Sequence, residues 1–474
     1  MKRLFIILAL AALAACKPVN PILRVEGGLV KGVPTETPGV TVYKGIPYAA
    51  PPVGDLRWKA PQPVKNWGSL RVCDTWGHPA WQNSHTPGGY TPEFFFDGDP
   101  EFSEDCLYLN IWTPAAGNPE AKLPVTLWVH GGGYVAGWGF EPEMDGEEWA
   151  KHGGVLVTFN YRLGLLGFLA HPGLSAESPD GVSGNYGMLD QVAALKWVKD
   201  NVSVFGGDPD HITVMGQSAG AMSVQTLVTS PLSKDLIAGA IIQSGGGIRE
   251  SQLLGGTPLS LAEESGRNLM DWAGCKTLEE MRAIPPKDLL TLVSRYRNAT
   301  GQNVQGVTAP VTDGHALSET FSEAALGGRI ADIPYMIGCT LDDMPALASG
   351  IDRFCAERQK AGGKAYAYRF DRRLPTDGRP DVLKGAFHSS ELWFMFKSLR
   401  FCWRPFTEGD YDLAEQMITC WTNFAACGDP NGTDGGPWTP CTEESPLFMH
   451  FGLDGDGAAV SAMGPMQPET ITAP

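Results

Sequence analysis

Residues 212–220 read Ile-Thr-Val-Met-Gly-Gln-Ser-Ala-Gly, an apolar stretch that runs directly into a Gly-x-Ser-x-Gly pentapeptide. Residues 212–215 have the composition of a buried strand, and the small side chains of 219–227 favour a helix. Glycines on both sides of a serine allow the tight turn between such a strand and helix, and that turn exposes the hydroxyl at the end of the sheet. The pattern therefore predicts that Ser218 is a nucleophile.

Further strand candidates lie on both sides of this turn. The segments 125–129, 155–159 and 240–243 are short and apolar, whereas residues 191–202 place apolar side chains at helical spacing. Strands that alternate with helices favour a mostly parallel sheet covered by helices on both faces. Residues 250–330 have the pattern of a helical excursion over the active site, and the last helix is predicted at 413–425. No repeat or linker follows residue 20, so we expect one domain over residues 16–474.

The general base should be a histidine that follows both the serine and an acid, because a serine-to-acid-to-histidine order accompanies this kind of turn. Only His315, His388 and His450 follow Ser218. His388 lies in a small, polar loop. His450 lies in a predicted strand, which favours a packed structural role, and His315 leaves little room for an intervening acid. The sequence favours His388.

The acid should follow a strand, and the apolar segment 335–339 is such a strand. Asp342 and Asp343 come soon after it. Either carboxylate can orient an imidazole and stabilise its protonated form, so spacing alone does not choose between them.

A Gly-rich loop follows the strand candidate 125–129 and reads His-Gly-Gly-Gly at 130–133. Glycines let the main chain approach a substrate carbonyl closely, so that N–H groups can stabilise a developing oxyanion. The N–H group of Ala219, at the start of the next helix, is the natural additional donor.

Six motifs in the same order together resemble the type-B carboxylesterases, relatives of the cholinesterases, over residues 25–451. The resemblance implies an α/β-hydrolase fold, acyl-enzyme chemistry on carboxylic esters and no cofactor. The motifs are SEDCLYLNIW (103–112), HGGGY (130–134), FNYRLGLLGFL (159–169), GNYGMLDQ (184–191), FGGDP (205–209) and TVMGQSAGA (213–221).

The resemblance also implies roles for individual residues. It aligns the family's acid with Asp343 and thereby chooses Asp343 over Asp342. It implies a structural ion pair between Arg162 and Asp190. Its catalytic positions fall on Ser218 and His388, and its oxyanion donors on Gly132, Gly133 and Ala219.

Several positions depart from the family pattern. Asp343 replaces the usual Glu, and the segment from Asp343 to His388 spans only 45 positions, which predicts a more open cleft. Gln217 replaces the Glu of cholinesterases, so a choline-type cationic substrate is not expected. The family's early disulfide lacks its partner, so Cys106 either pairs with Cys73 or stays reduced.

Aromatic side chains crowd the loops near these motifs. We expect Tyr134, Trp138 and Trp393 to line a substrate pocket for a bulky acyl or aryl group. The expected substrates are aryl, alkyl or hydroxycinnamoyl esters. Ordinary core packing is the alternative role of such aromatic residues.

The N-terminus has the pattern of an export signal. Lys2 and Arg3 precede an apolar run over 4–15, which is too short to span a bilayer. The run ends at Leu-Ala-Ala-Cys (13–16), which resembles a bacterial lipoprotein processing box. We therefore expect a signal peptide at 1–15 and lipidation of Cys16, which would tether an exported protein to a membrane surface. An ordinary secretory signal is the alternative.

Composition narrows the remaining classes of function. Lys plus Arg total 36 and Asp plus Glu total 53, so the net charge is −17 and nucleic acid is not an expected partner. No His-Glu-x-x-His motif is present, so no metal is predicted. The rival functions are a non-catalytic binding module of the same fold and an amidase or lactonase with the same triad. The oligomeric state stays open.

Overall fold

The computed structural model describes residues 22–249, 256–344 and 347–466. The predicted signal peptide and Cys16 lie outside the described residues. Within those ranges the chain forms sixteen strands and thirteen α-helices. The strands are β1 (Ile22–Val25), β2 (Gly28–Lys31), β3 (Val33–Pro34), β4 (Thr41–Pro47), β5 (Arg71–Val72), β6 (Tyr108–Thr113), β7 (Leu123–Val129), β8 (Val155–Phe159), β9 (Gly207–Gln217), β10 (Gly239–Gln243), β11 (Thr257–Pro258), β12 (Val311–Thr312), β13 (Tyr335–Thr340), β14 (Ala365–Phe370), β15 (Leu447–Leu453) and β16 (Ala459–Pro465). The helices are α1 (Thr91–Phe94), α2 (Glu147–Lys151), α3 (Gly164–Phe168), α4 (Pro172–Glu177), α5 (Tyr186–Asn201), α6 (Ala219–Thr229), α7 (Leu259–Trp272), α8 (Leu278–Ala283), α9 (Pro286–Thr300), α10 (Phe321–Leu326), α11 (Leu347–Lys360), α12 (Leu392–Met395) and α13 (Glu408–Cys427).

One large sheet organises the chain. Its 11 strands lie in the order β16-β15-β14-β13-β10-β9-β7-β8-β6-β4-β3. The strands from β15 to β8 in this order pair in parallel, and the pairs at both outer ends are antiparallel. The predicted fold class, an α/β-hydrolase fold with a mostly parallel sheet, is confirmed.

The central strands are apolar throughout because both faces of the sheet are covered. In β7, Val125, Leu127 and Val129 belong to the core on one face, whereas Trp128 belongs to the core on the other. Helices α5, α6 and α11 contribute to the first core, and α2, α12 and α13 to the second. Helices thus cover both faces of the sheet. Because its central strands are parallel, their carboxyl ends lie at one edge.

The helical excursion packs beside the sheet. Leu269, Leu289 and Leu292 of α7 and α9 form a separate core with Leu165 and Leu166 of α3. No described residue of 256–330 lines the cavity that contains Ser218. The helical excursion therefore packs against the region around α3 and supports it.

Helix α5 begins at Tyr186, five residues before the predicted start at 191. The Gly-Asn-Tyr-Gly sequence resembles a turn, but Gly187 lies inside the helix, where a side chain would meet Phe168 and the carbonyl of Arg162. The implied Arg162–Asp190 ion pair is present, with an N–O distance of 2.7 Å, and both side chains are buried. No helix in the described ranges is long and apolar enough to span a bilayer.

Candidate active site

Ser218 occupies the junction between β9 and α6. Its backbone has φ 58° and ψ −124°, a positive-φ conformation that a non-glycine residue adopts only where its surroundings impose it. The N–H group of Ser218 donates to the carbonyl of Gln243 on the neighbouring strand, at 2.9 Å. Glycine is required at 220, since a Cβ there would lie 2.0 Å from the carbonyl oxygen of Val129. The predicted strand-turn-helix junction is therefore built as the sequence indicates.

His388 lies in the loop between β14 and α12, and an acid from the loop after β13 contacts it. Nδ1 of His388 lies 2.8 Å from Oδ1 of Asp343. The neighbouring Asp342 instead pairs with Arg373 at 3.0 Å and accepts the N–H group of Ala386 at 2.9 Å. Sequence spacing did not choose between the two carboxylates. In the structure, Asp343 is the one that contacts the imidazole of His388.

The pair has the electrostatics of an oriented base. Burial opposes ionisation of Asp343, but the hydrogen bond and charge of His388 outweigh it and hold the pKa of Asp343 below its usual value. Burial likewise opposes protonation of His388, but the hydrogen bond and charge of Asp343 raise its pKa above 6.5. The carboxylate thus stabilises the imidazolium that a proton transfer would create.

The other imidazole nitrogen faces Gln217. Nε2 of His388 lies 3.2 Å from the amide nitrogen of Gln217. Since Nδ1 of His388 donates to Asp343, Nε2 is the acceptor in this contact. The amide of Gln217 therefore donates to the Nε2 lone pair, which a general base would use. Gln217 is the residue directly before Ser218 in the chain.

The Gly-rich loop follows β7 and approaches Ser218 closely. A Cβ on Gly131 would lie 3.0 Å from the carbonyl oxygen of Gln217 and 3.2 Å from Cβ of Ser218, which is closer than ordinary van der Waals contact. Gly132 has φ +99°, and a Cβ on it would lie 2.0 Å from the carbonyl oxygen of Ala136. Gly132 and Gly133 line the same cavity as Ser218, and Ala219 is the first residue of α6, whose N–H has no partner within the helix. The three predicted oxyanion donors are thus grouped around the serine.

A cavity of about 360 Å³ contains Ser218, His388 and the Gly-rich loop. Its apolar wall comes largely from the segment that contains α1. The apolar side chains that line it are Tyr90, Phe94, Phe95, Ala136, Met144 and Leu392.

The aromatic residues predicted to line the pocket, Tyr134, Trp138 and Trp393, do not line this cavity. All three are buried, and two of them pack behind its wall. Trp393 stacks on Phe94 with ring centroids 5.8 Å apart, and Trp138 lies 5.1 Å from Phe95. Tyr134 instead packs against Phe168 of α3, with ring centroids 5.3 Å apart. The residues that do line the cavity include Phe94 and Phe95. The signal for them in the sequence was the run Glu-Phe-Phe-Phe at 93–96.

A buried glutamate near the triad was missed by sequence reasoning. Oε1 of Glu391 accepts the hydroxyl of Ser244 at 2.9 Å. Burial and the charge of Asp343 raise the pKa of Glu391 to about 7. Its position three residues after His388 was the only available signal, and its depth in the fold could not be read from that spacing.

The remaining candidates from the sequence lie elsewhere. His450 pairs with Asp371 at 2.9 Å in β15, and His315 lies 3.6 Å from Asp180. The nine cysteines in the described ranges are free thiols, including Cys73 and Cys106. No group of three or more metal-ligating side chains occurs among the described residues.

Similarity to known proteins identifies the family of this chain. A family model described as the carboxylesterase family matches residues 19–353 and 346–463. The chain belongs to the carboxylesterase family. The fumonisin B1 esterase of Sphingopyxis macrogoltabida is 33% identical over 98% of this carboxylesterase and 93% of its own length. The para-nitrobenzyl esterase of Bacillus subtilis is 32% identical, over 90% of this chain and 94% of its own.

Solved structures give the same result. A para-nitrobenzyl (PNB) esterase structure has a TM-score of 0.78 and 29% identity, and the match covers 94% of this chain and 98% of that one. A Geobacillus stearothermophilus carboxylesterase has a TM-score of 0.76 and 31% identity with the same coverage. This carboxylesterase is therefore a carboxylic-ester hydrolase, as the sequence predicts.

Proposed function

We propose that Ser218, His388 and Asp343 are the nucleophile, the general base and the orienting acid of a two-step ester hydrolysis. The observation that carries this proposal is the contact between Nδ1 of His388 and Asp343 at 2.8 Å. It leaves Nε2 as the basic atom in the cavity that also contains Ser218. The strained backbone of Ser218 supports the assignment, because such strain is typical of a nucleophile at this turn.

In the first step, the proton of the Ser218 hydroxyl passes to Nε2 of His388, while Oγ forms a bond to the ester carbonyl carbon. The carbonyl electrons move onto oxygen, and the N–H groups of Gly132, Gly133 and Ala219 stabilise the oxyanion. Collapse of this intermediate breaks the ester C–O bond. The departing alcohol takes the proton from His388, and an acyl group remains on the serine.

In the second step, water repeats the sequence. His388 takes a proton from water, the resulting nucleophile attacks the acyl carbon, and Ser218 leaves with the proton. Both steps need Nε2 to be free, so Gln217 must release its 3.2 Å contact with His388 when substrate binds. Asp343 stays ionised throughout and stabilises the imidazolium.

We further propose that the substrates are aryl, alkyl or hydroxycinnamoyl esters. Aromatic and aliphatic side chains form much of the cavity wall, and such walls accept apolar groups. Relatives named para-nitrobenzyl esterase and pyrethroid hydrolase support an aromatic or apolar ester. Amides and lactones would use the same three residues, so a panel of matched esters, amides and lactones separates these activities.

The test compares hydrolysis of p-nitrophenyl acetate by the protein, by His388→Ala and by His450→Ala. His450 is a matched control, since it forms a similar His–Asp contact at 2.9 Å outside the cavity. We expect turnover to fall at least ~10³-fold in His388→Ala and to persist in His450→Ala. An inactive but folded parent protein would contradict the proposal and favour a binding module.

We also propose that the protein is exported and anchored by a lipid on Cys16. The support is the sequence alone: the basic start, the apolar run over 4–15 and the Leu-Ala-Ala-Cys box. The test is expression in a bacterium with the Cys16→Ser variant as control. The parent should partition into membranes and carry an acyl mass on its first residue, and a soluble, unmodified parent would contradict the proposal.

A further inference from the structure

Two glutamates lie in the wall of the cavity that contains Ser218. Glu141 and Glu143 flank Pro142 in the short turn that follows the Gly-rich loop, and both line this cavity. Glu141 is 6% exposed and Glu143 is 1% exposed. Carboxylates are seldom buried to this degree unless something compensates their charge.

Their hydrogen bonds are incomplete. Oε1 of Glu141 accepts the N–H group of Trp138 at 2.8 Å. Oε2 of Glu143 is buried and has no donor among the described residues. The hydroxyl of Ser398 donates to the backbone carbonyl of Glu143 at 2.8 Å and fixes the turn.

The charge of the pair is not balanced by a neighbouring basic group. Within the described ranges, neither Glu141 nor Glu143 forms an ion pair with a basic side chain. The neighbouring buried acid differs in this respect, because Glu93 pairs with Arg404 at 2.7 Å. Burial raises the pKa of both members of the pair, and the charge of Glu141 adds to the effect on Glu143. The two carboxyls therefore lie in the cavity wall without a basic partner among the described residues.

We propose that Glu141 and Glu143 form a subsite for a protonated primary amine on the ester substrate. An alkylammonium supplies both of the features that the pair lacks: a positive charge and several N–H donors for carboxylate oxygens. A quaternary ammonium has the charge but no donor, and a hydroxyl has a donor but no charge. The apolar wall of Tyr90, Phe94 and Phe95 would hold the carbon chain that joins the amine to the ester. This inference rests on the proposed function at Ser218.

The test measures competitive inhibition of p-nitrophenyl acetate hydrolysis by n-hexylammonium, n-hexyltrimethylammonium and 1-hexanol. In the wild-type protein we expect n-hexylammonium to bind at least roughly tenfold more tightly than either analogue. Glu141→Gln and Glu143→Gln should each remove most of this preference. Asp352→Asn is the matched control, since Asp352 is a partly buried carboxyl on α11 with an unpartnered oxygen, away from the cavity.

The wild-type comparison decides the proposal even if a variant does not fold. Equal inhibition by the three compounds would overturn it, as would a preference that survives in folded Glu143→Gln or is lost in Asp352→Asn. Failure of the proposed function is distinct, because then the wild-type protein would not hydrolyse p-nitrophenyl acetate at all.

Discussion

His388 contacts Asp343 through Nδ1 at 2.8 Å, although the adjacent carboxylate of Asp342 is only one residue away in the chain. Asp342 is held by Arg373 and by the backbone of Ala386. Asp343→Asn should keep the shape of the site but lose the charge and favour the wrong imidazole tautomer. We expect kcat to fall by about 10³–10⁴.

The control for this substitution is its neighbour. Asp342→Asn should leave kcat within a few fold, because its partners lie outside the reaction. Steady-state kinetics on a p-nitrophenyl ester, on the plateau of the pH profile, measure both variants, with circular dichroism to check folding. Equal losses in the two variants would contradict the assignment of Asp343.

The raised pKa of His388 sets the acid limb of the pH profile. Catalysis needs neutral Nε2, so kcat/KM should rise with pH and reach half its maximum above pH 6.5, the ordinary value for histidine. Gln217→Glu would place a negative charge beside the imidazole and favour its protonated form. The midpoint should therefore move to higher pH in Gln217→Glu.

The measurement is a pH series of kcat/KM for the wild-type protein, Gln217→Glu and Gln217→Ala. The alanine variant removes the amide without adding charge, so it separates the effect of charge from the loss of the contact. A midpoint below pH 6.5 in the wild-type protein, or a downward shift in Gln217→Glu, would contradict the proposed role of His388.

Much of the site could be predicted from residues that are close in sequence. The turn at Ser218 and the Gly-rich loop at 130–133 each combine an apolar strand with glycines, and both signals are local. His388 followed from the chain order of the triad. Asp343 required the family resemblance, because its contact with His388 is made across 45 positions of chain and depends on how two loops meet.

The pocket lining could not be predicted in the same way. Trp393 and Phe94 are both aromatic, and only the packing of α1 against α12 decides which of them faces the cavity. The buried acids Glu141, Glu143 and Glu391 were missed for a related reason. A glutamate in a loop is normally solvated, so its burial is visible only once the surrounding elements are in place.

Glu391 should make stability depend on pH in an unusual direction. Its pKa rises from 4.5 in the unfolded chain to about 7 in the folded protein, so folding favours the protonated form. The stabilising contribution is fully present below pH 4.5 and is lost as the pH rises through 7. We expect the free energy of unfolding to lose about 3 kcal/mol from this group over that range.

Glu391→Gln removes the titration but keeps a hydrogen-bonding side chain. Urea unfolding of both proteins between about pH 4 and pH 8, which brackets the titration, measures the difference in their free energies of unfolding. Relative to Glu391→Gln, the free energy of unfolding of the wild-type protein should fall as the pH rises above the unfolded-state value of 4.5. A constant difference would show that Glu391 keeps an ordinary pKa.

Gly132 tests the oxyanion loop. Its φ is +99°, and a Cβ there would lie 2.0 Å from the carbonyl oxygen of Ala136, so the loop leaves no room for a side chain. Gly132→Ala should displace the loop and lower kcat at least ~100-fold, the typical cost of one lost oxyanion donor. Gly39→Ala is the control, because Gly39 has a similar φ of +90° with nothing within 4 Å.

Both glycine variants should lose about 1 kcal/mol of stability from backbone strain, and Gly132→Ala should lose more because of its clash with Ala136, but only Gly132→Ala should lose activity. Chemical denaturation and kinetics on the same preparations separate the two effects. Full activity in Gly132→Ala would contradict a role for this loop in catalysis.

The most direct measurement is covalent labelling of the nucleophile with a fluorophosphonate, followed by mass spectrometry of the labelled peptide. The reagent should add one phosphonyl group to Ser218, abolish ester hydrolysis in proportion, and leave folded Ser218→Ala unlabelled and inactive. Labelling at another residue, or hydrolysis that persists in Ser218→Ala, would contradict the assignment of Ser218 as the nucleophile.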